Sequence, residues 1–200
     1  SDIARSFYLT GGTALAAFYL NHRYSEDLDF FSEGDTTDPQ GLTVLFESWR
    51  QKLGITQIDF EKSLDRNLFF FKFGESVVKT EFTYFPFPRI EGGPHEGDLA
   101  IDSILDIAVN KLFTIYQKPR VRDFIDLFFI VHEEGYVFAD LIMKARAKFD
   151  WPIDPLNLGS QLIKVRDLKD YPRMIKALDE GAMSDFFLEE AKKLGKDILE

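Results

Sequence analysis

The hydrophobic period of this chain changes once, at a cluster of residues that neither a helix nor a central strand tolerates: Pro86, Pro88, Gly92, Gly93 and Pro94. Before it, alternation predicts strands over Asp27–Ser32, Ile55–Glu61, Asn67–Phe73 and Ser76–Phe85, the last two joined by a tight hairpin at Gly74-Glu75. Two helices interrupt them. Thr13–Leu20 follows the Gly11-Gly12 break with Thr13 as candidate N-cap, and Gly41–Leu53 carries Leu42, Leu45, Phe46, Trp49 and Leu53 at amphipathic spacing. After the break the period is helical over Asp102–Gln117, Asp123–Glu133, Phe138–Phe149, Pro155–Lys164 and Ser184–Leu199. The expectation is an α+β protein, with an α/β core over residues 1–95 and a helical part over 96–200.

Composition narrows the chemistry. There is no cysteine, and His22, His95 and His132 are far apart, so disulfides and thiolate or His-rich metal cages are excluded and any metal must be oxygen-ligated. Acidic residues outnumber basic ones 34 to 24, which argues against coating nucleic acid by bulk charge. The imbalance is uneven: net −7 over the first hundred residues and net −3 over the second. Phenylalanine is abundant, 21 residues, and runs such as Leu68-Phe69-Phe70-Phe71 read as core. The longest apolar stretches, such as Ile125 to Val131 apart from Asp126, are too short to span a bilayer, and no basic-plus-apolar leader opens the chain. The expectation is a soluble cytoplasmic protein with no membrane role.

Four features can carry chemistry. Asp27 and Asp29 alternate on one strand, so both carboxylates share a face; they either point to water or share a hard cation such as Mg²⁺. Glu81 points away from the Thr80/Phe82 face of its strand. If that strand neighbours the Asp27 strand, three carboxylates converge; otherwise Glu81 is a surface acid paired with Lys79. Gly11-Gly12-Thr13 opens a helix and is either an anion-binding turn or a simple cap. Lys111, with Lys118, Arg120 and Arg122, could neutralise a polyphosphate, while Asp123 is either functional or an N-cap and Asp126 lies three residues on.

Taken together, Phe7-Tyr8-Leu9-Thr10-Gly11-Gly12-Thr13-Ala14-Leu15-Ala16 and His22-Arg23-Tyr24-Ser25-Glu26-Asp27-Leu28-Asp29-Phe30-Phe31 resemble the AbiEii/AbiGii toxin family of nucleotidyltransferases, in the DNA polymerase β-like superfamily. The likeness extends to Asp106, Lys111-Leu112 and Arg122-Asp123-Phe124-Ile125-Asp126-Leu127, covering residues 7 to about 131. Relatives usually have a longer helical lead-in than the ten residues before Gly11, which leaves processing or truncation open.

The resemblance implies a nucleotidyltransferase fold: a mixed β-sheet flanked by helices, followed by a helical C-terminal part. It implies transfer of a nucleoside monophosphate from an NTP to a hydroxyl acceptor, RNA or the 3′ end of tRNA, with Mg²⁺ or Mn²⁺ as cofactor, by a toxin paired with an antitoxin. It assigns Asp27, Asp29 and Glu81 to the metal, and Lys111, Asp123 and Asp126 to the remaining catalytic positions. Gly11, Gly12, Thr13, Arg23, Ser25 and Arg122 go to the nucleotide. The basic runs Lys118/Arg120/Arg122 and Lys144/Arg146/Lys148 are candidates to guide RNA. Two other readings stand beside it: a catalytically silent nucleotide- or partner-binding protein of the same fold, and a sugar-nucleotide glycosyltransferase using the Asp-x-Asp.

Overall fold

The computed structural model describes residues 5–34 and 38–196. Among them seven strands occur: β1 (Tyr8–Thr10), β2 (Asp27–Ser32), β3 (Gln57–Ser63), β4 (Arg66–Phe73), β5 (Ser76–Tyr84), β6 (His95–Glu96) and β7 (Leu99–Ile101). They form one sheet in the order β3-β4-β5-β2-β1-β7-β6. β2 has the bounds that alternation predicts. β1, β6 and β7 carry no periodic signal because two or three residues are too few to show one.

Sheet register follows from the turns. Gly74, at φ +64°, closes the β4–β5 hairpin so that Phe73 faces Ser76, which sets Leu68 opposite Glu81 and Arg66 opposite Thr83. β5 then lies parallel to β2, with Asp29 opposite Glu81 and Asp27 opposite Lys79, and β2 lies antiparallel to β1, with Asp29 opposite Thr10. Period two therefore sorts the sheet into an acidic face and an apolar one.

The apolar face is covered by α2 (Pro39–Leu53), whose Leu42 and Phe46 pack with Phe7, Phe69 and Phe82, while Phe30 stacks on Phe82 at 5.0 Å. Burying aromatic side chains of this kind stabilises by roughly 1.5–3 kcal/mol each. The helix starts two residues before the predicted Gly41 because Asp38 caps it, accepting from the amides of Gln40 and Gly41 at 3.0 Å, with Pro39 as a preorganised first residue. Of the run Leu68-Phe69-Phe70-Phe71, Phe69 is fully buried in this core, Phe71 packs against it half-buried, and Phe70 is half-buried, so composition marks the core only in part.

Gly11–Leu15 forms the short α1, continued by a π-helical turn over Ala16–Leu20. Thr13 is inside this helix and is not its cap; its hydroxyl donates to the carbonyl of Asp27.

The remaining helices are α3 (Ile104–Gln117), α4 (Val121–Glu134), α5 (Phe138–Phe149), α6 (Pro155–Ile163) and α7 (Glu180–Lys196). Ser103 caps α3 by accepting from the amide of Asp106 at 2.9 Å. The N-cap of α4 is Arg120, so Asp123 lies in the first turn and the cap reading of Asp123 is corrected. α7 begins at Glu180, earlier than the predicted Ser184, because Asp179 accepts from the amide of Ala182; the predicted end at Leu199 lies outside the described residues. Phe187 of α7 meets Phe124 of α4 edge-on at 4.9 Å, and both are fully buried.

Two compact units result, one from Ser1–Ala14, Ser25–Pro88 and Gly92–Asp102, the other from Leu15–Tyr24, Arg89–Glu91 and Ser103–Glu200. The first holds the whole sheet and α2, the second α3 to α7. Among the described residues no helix is long and apolar enough to cross a membrane.

Candidate active site

The acidic face of the sheet brings together Asp27, Asp29 and Glu81. Their grouping is a consequence of two parallel strands in register, and the condition set by the sequence, that the Glu81 strand neighbour the Asp27 strand, is met. Glu81 is 6% exposed, which removes the reading as a surface acid paired with Lys79. Lys79 instead contacts Asp27 at 2.9 Å. Glu81 is taken by Arg66, whose Nε donates to Oε1 at 2.6 Å and whose Nη2 donates to Oε2, and by the Thr83 hydroxyl at 2.7 Å.

Gly11 is fitted to Asp29. Its φ of +72° is in the left-handed region, and a Cβ there would overlap the Asp29 carboxylate. The Thr13 hydroxyl bond to the Asp27 carbonyl pins the same turn to β2. Replacing Gly11 by Ala is expected to cost about 1–2 kcal/mol in backbone strain. It should also displace the Asp29 carboxylate, lowering transferase turnover by about 10²-fold. Thermal denaturation and a transfer assay on the same preparation check both parts.

The donor set suits a hard divalent ion: it is all oxygen, two carboxylates are adjacent on one strand, and the face already draws two side-chain cations, Lys79 and Arg66. As the side chains stand, no group of three His, Cys, Asp or Glu among the described residues is arranged to hold a metal ion. Asp27 and Asp29 fit the one- or two-carboxylate mode that Mg²⁺ accepts, and Glu81 is occupied by Arg66.

Thr10, opposite Asp29, donates to Asp102 Oδ2 at 2.6 Å, and Asp102 is fully buried just after β7. Nothing local in the sequence marks this pair, which is separated by 92 residues.

In the helical unit the motif residues form a buried ion network. Asp126, fully buried on α4, accepts from His22 Nε2 at 2.8 Å, from Arg23 Nε at 2.6 Å and from Arg23 Nη2 at 2.8 Å. Lys111 of α3 contacts both Asp126 and Asp123 at 2.7 Å. Burial pushes the Asp126 carboxyl upward, but Lys111, Arg23 and His22 outweigh it and hold the group well below the usual carboxylate range. The Lys111 ammonium is raised in turn: burial works against its charge, and Asp126 and Asp123 more than offset that. Arg23 is buried with its guanidinium directed at Asp126 and the Tyr24 carbonyl, while Ser25 and Arg122 are half-buried. His22 was not singled out by the sequence, although it adjoins Arg23.

A second buried pair lies in the same unit. Lys148 contacts Asp106 at 2.6 Å, and Asp106 also accepts from the amides of Ile90 and Glu91 and from Ser103 Oγ. Lys148 therefore cannot guide RNA, and that expectation is corrected. Lys118, Arg120, Lys144 and Arg146 are exposed.

A family model described as nucleotidyl transferase AbiEii toxin, type IV TA system, matches residues 1–190. An uncharacterized protein of Aquifex aeolicus is 31% identical over 149 residues, 74% of this chain and 68% of its own length. Among solved structures, JHP933 from Helicobacter pylori superposes with a TM-score of 0.63 at 21% identity, over 98% of this chain and 87% of that one. MenT4, a nucleotidyltransferase toxin from Mycobacterium tuberculosis, gives 0.52 at 13% identity, over 96% and 76%. At these identities the two structures speak to the fold.

Proposed function

The chain belongs to the AbiEii family of nucleotidyltransferase toxins, and from that membership we propose that it moves a nucleoside monophosphate from an NTP to a hydroxyl of RNA, with Mg²⁺ or Mn²⁺, under restraint by a cognate antitoxin. The observation that carries the metal part is the parallel register that puts Asp29 opposite Glu81, with Asp27 on the same face.

Asp27 and Asp29, with Glu81, would hold the divalent ion, which would supply Lewis-acid polarisation of the phosphoryl oxygens and activation of the acceptor hydroxyl. The chain does the positioning. The amides of Gly11, Gly12 and Thr13 offer donors for a triphosphate oxygen, and the Thr13–Asp27 bond holds that turn at a fixed offset from the carboxylates. Asp126, through His22 and Arg23, fixes the segment that links α1 and its π-turn to β2, and Lys111 with Asp123 completes that anchor. Arg23, assigned to the nucleotide by resemblance, is better read as part of the anchor, whereas Ser25 keeps the nucleotide assignment.

RNA as acceptor draws on Lys118, Arg120, Lys144 and Arg146, exposed basic residues of the less acidic half that a phosphate backbone could engage. The deciding experiment incubates the protein with each labelled NTP, Mg²⁺ and total RNA. Label should enter RNA of a defined size class for one or a few NTPs and vanish with EDTA. Nucleotide binding with no transfer to any acceptor favours the silent binding protein instead.

A further inference from the structure

Arg66 belongs to no motif, yet it stands on the acidic face. Register places it opposite Thr83, diagonal to Glu81, and its guanidinium grips both Glu81 oxygens. The side chain is 48% exposed while that of Glu81 is 7% exposed, so one partner is free to swing into water and the other is not. Lys79 is the weaker counterpart, with one contact to an Asp27 carboxylate that is 30% exposed.

We propose that Arg66 is the resident counter-cation of the carboxylate face, which a divalent ion must displace from Glu81 before all three carboxylates can engage it. The inference rests on the reading of Asp27, Asp29 and Glu81 as metal ligands. Three like charges on neighbouring strands repel unless neutralised, and a bidentate guanidinium neutralises the least exposed of them. The protein without nucleotide is then self-neutralised and takes up metal weakly. Arg66 acts through Glu81 and is a positioning residue; when it lets go, the anion available to it is the incoming triphosphate.

The test is Mn²⁺ affinity of the full chain without nucleotide, measured by water-proton relaxation or calorimetry, in wild type, Arg66→Gln, Arg66→Lys, Lys79→Gln and Asp29→Asn. Arg66→Gln should tighten Mn²⁺ about tenfold, the scale of one charged hydrogen-bonded pair. Lys79→Gln should tighten it less, by roughly threefold. Arg66→Lys, which keeps the charge but not the fork, should fall between wild type and Arg66→Gln. If Arg66→Lys equals wild type while Arg66→Gln tightens binding, only background charge is at work and the proposal fails. Equal affinity in Arg66→Gln and wild type, with Asp29→Asn weakened, overturns it too. Unchanged affinity in Asp29→Asn overturns the metal reading itself, which separates the two failures.

Discussion

Asp29→Asn should leave the protein folded and lower metal-dependent nucleotidyl transfer by about 10³-fold. A metal ion is worth several kcal/mol of charge stabilisation at a reacting phosphate, and each 1.36 kcal/mol is a factor of ten in rate. The side chain is at the centre of the acidic face, opposite both Thr10 and Glu81, where Asn has the same shape but is a poor ligand for a hard cation. Folding tolerates the change because the apolar face, with Phe30, Phe82 and Phe46, is untouched and one of two adjacent like charges is removed. The shift in stability should stay within about 1 kcal/mol. Transfer rates with Mg²⁺, read beside thermal denaturation, check the result; turnover equal to wild type removes Asp29 from the site.

What the sequence discloses of this site depends on how local the signal is. β2 is legible because six residues suffice for alternation, and the two-residue turn at Gly74-Glu75 fixes the hairpin. Counting back from that turn places Arg66 beside Glu81, so the Arg66 grip was available from register alone. The pairing of β5 with β2 has no such signal, since parallel neighbours are joined by long crossovers and only the fold sets their offset. The same holds for Arg23 and Asp126, which meet across 103 residues.

Lys148 shows the other kind of failure. Read with Lys144 and Arg146 it looks like a basic run, yet it shares the buried stripe of α5 with Leu141 and Ala145. A lysine on an apolar stripe needs a carboxylate, and Asp106 of α3 supplies it. Helical phase outranks local charge density in deciding which basic groups remain for a polyanion.

Asp126→Asn should lower stability by about 3–5 kcal/mol, because removing one partner from a buried ionic cluster leaves Arg23 and Lys111 both charged with only Asp123 to offset them. Arg23 and Lys111, with side chains 4% and 11% exposed, then face each other without the carboxylate that separates them. The amide NH₂ of Asn adds a donor where His22, Arg23 and Lys111 already donate. For a chain of this size the melting temperature should fall by roughly 6–20 °C. The pH dependence carries a sign. The Asp126 carboxyl is depressed in the folded protein, so its contribution is fully present above the unfolded carboxylate value of about 4 and is lost only as pH falls through the lower folded value. Wild type and Asp126→Asn should therefore differ most above about pH 4 and converge in stronger acid. Asp106, also depressed despite its burial, by Lys148 and the Ile90 amide, remains in both proteins and keeps a residual acid transition in the variant. Melting curves by circular dichroism from pH 2 to 8 check this, and a constant offset at every pH would mean that Asp126 stabilises by shape rather than by charge.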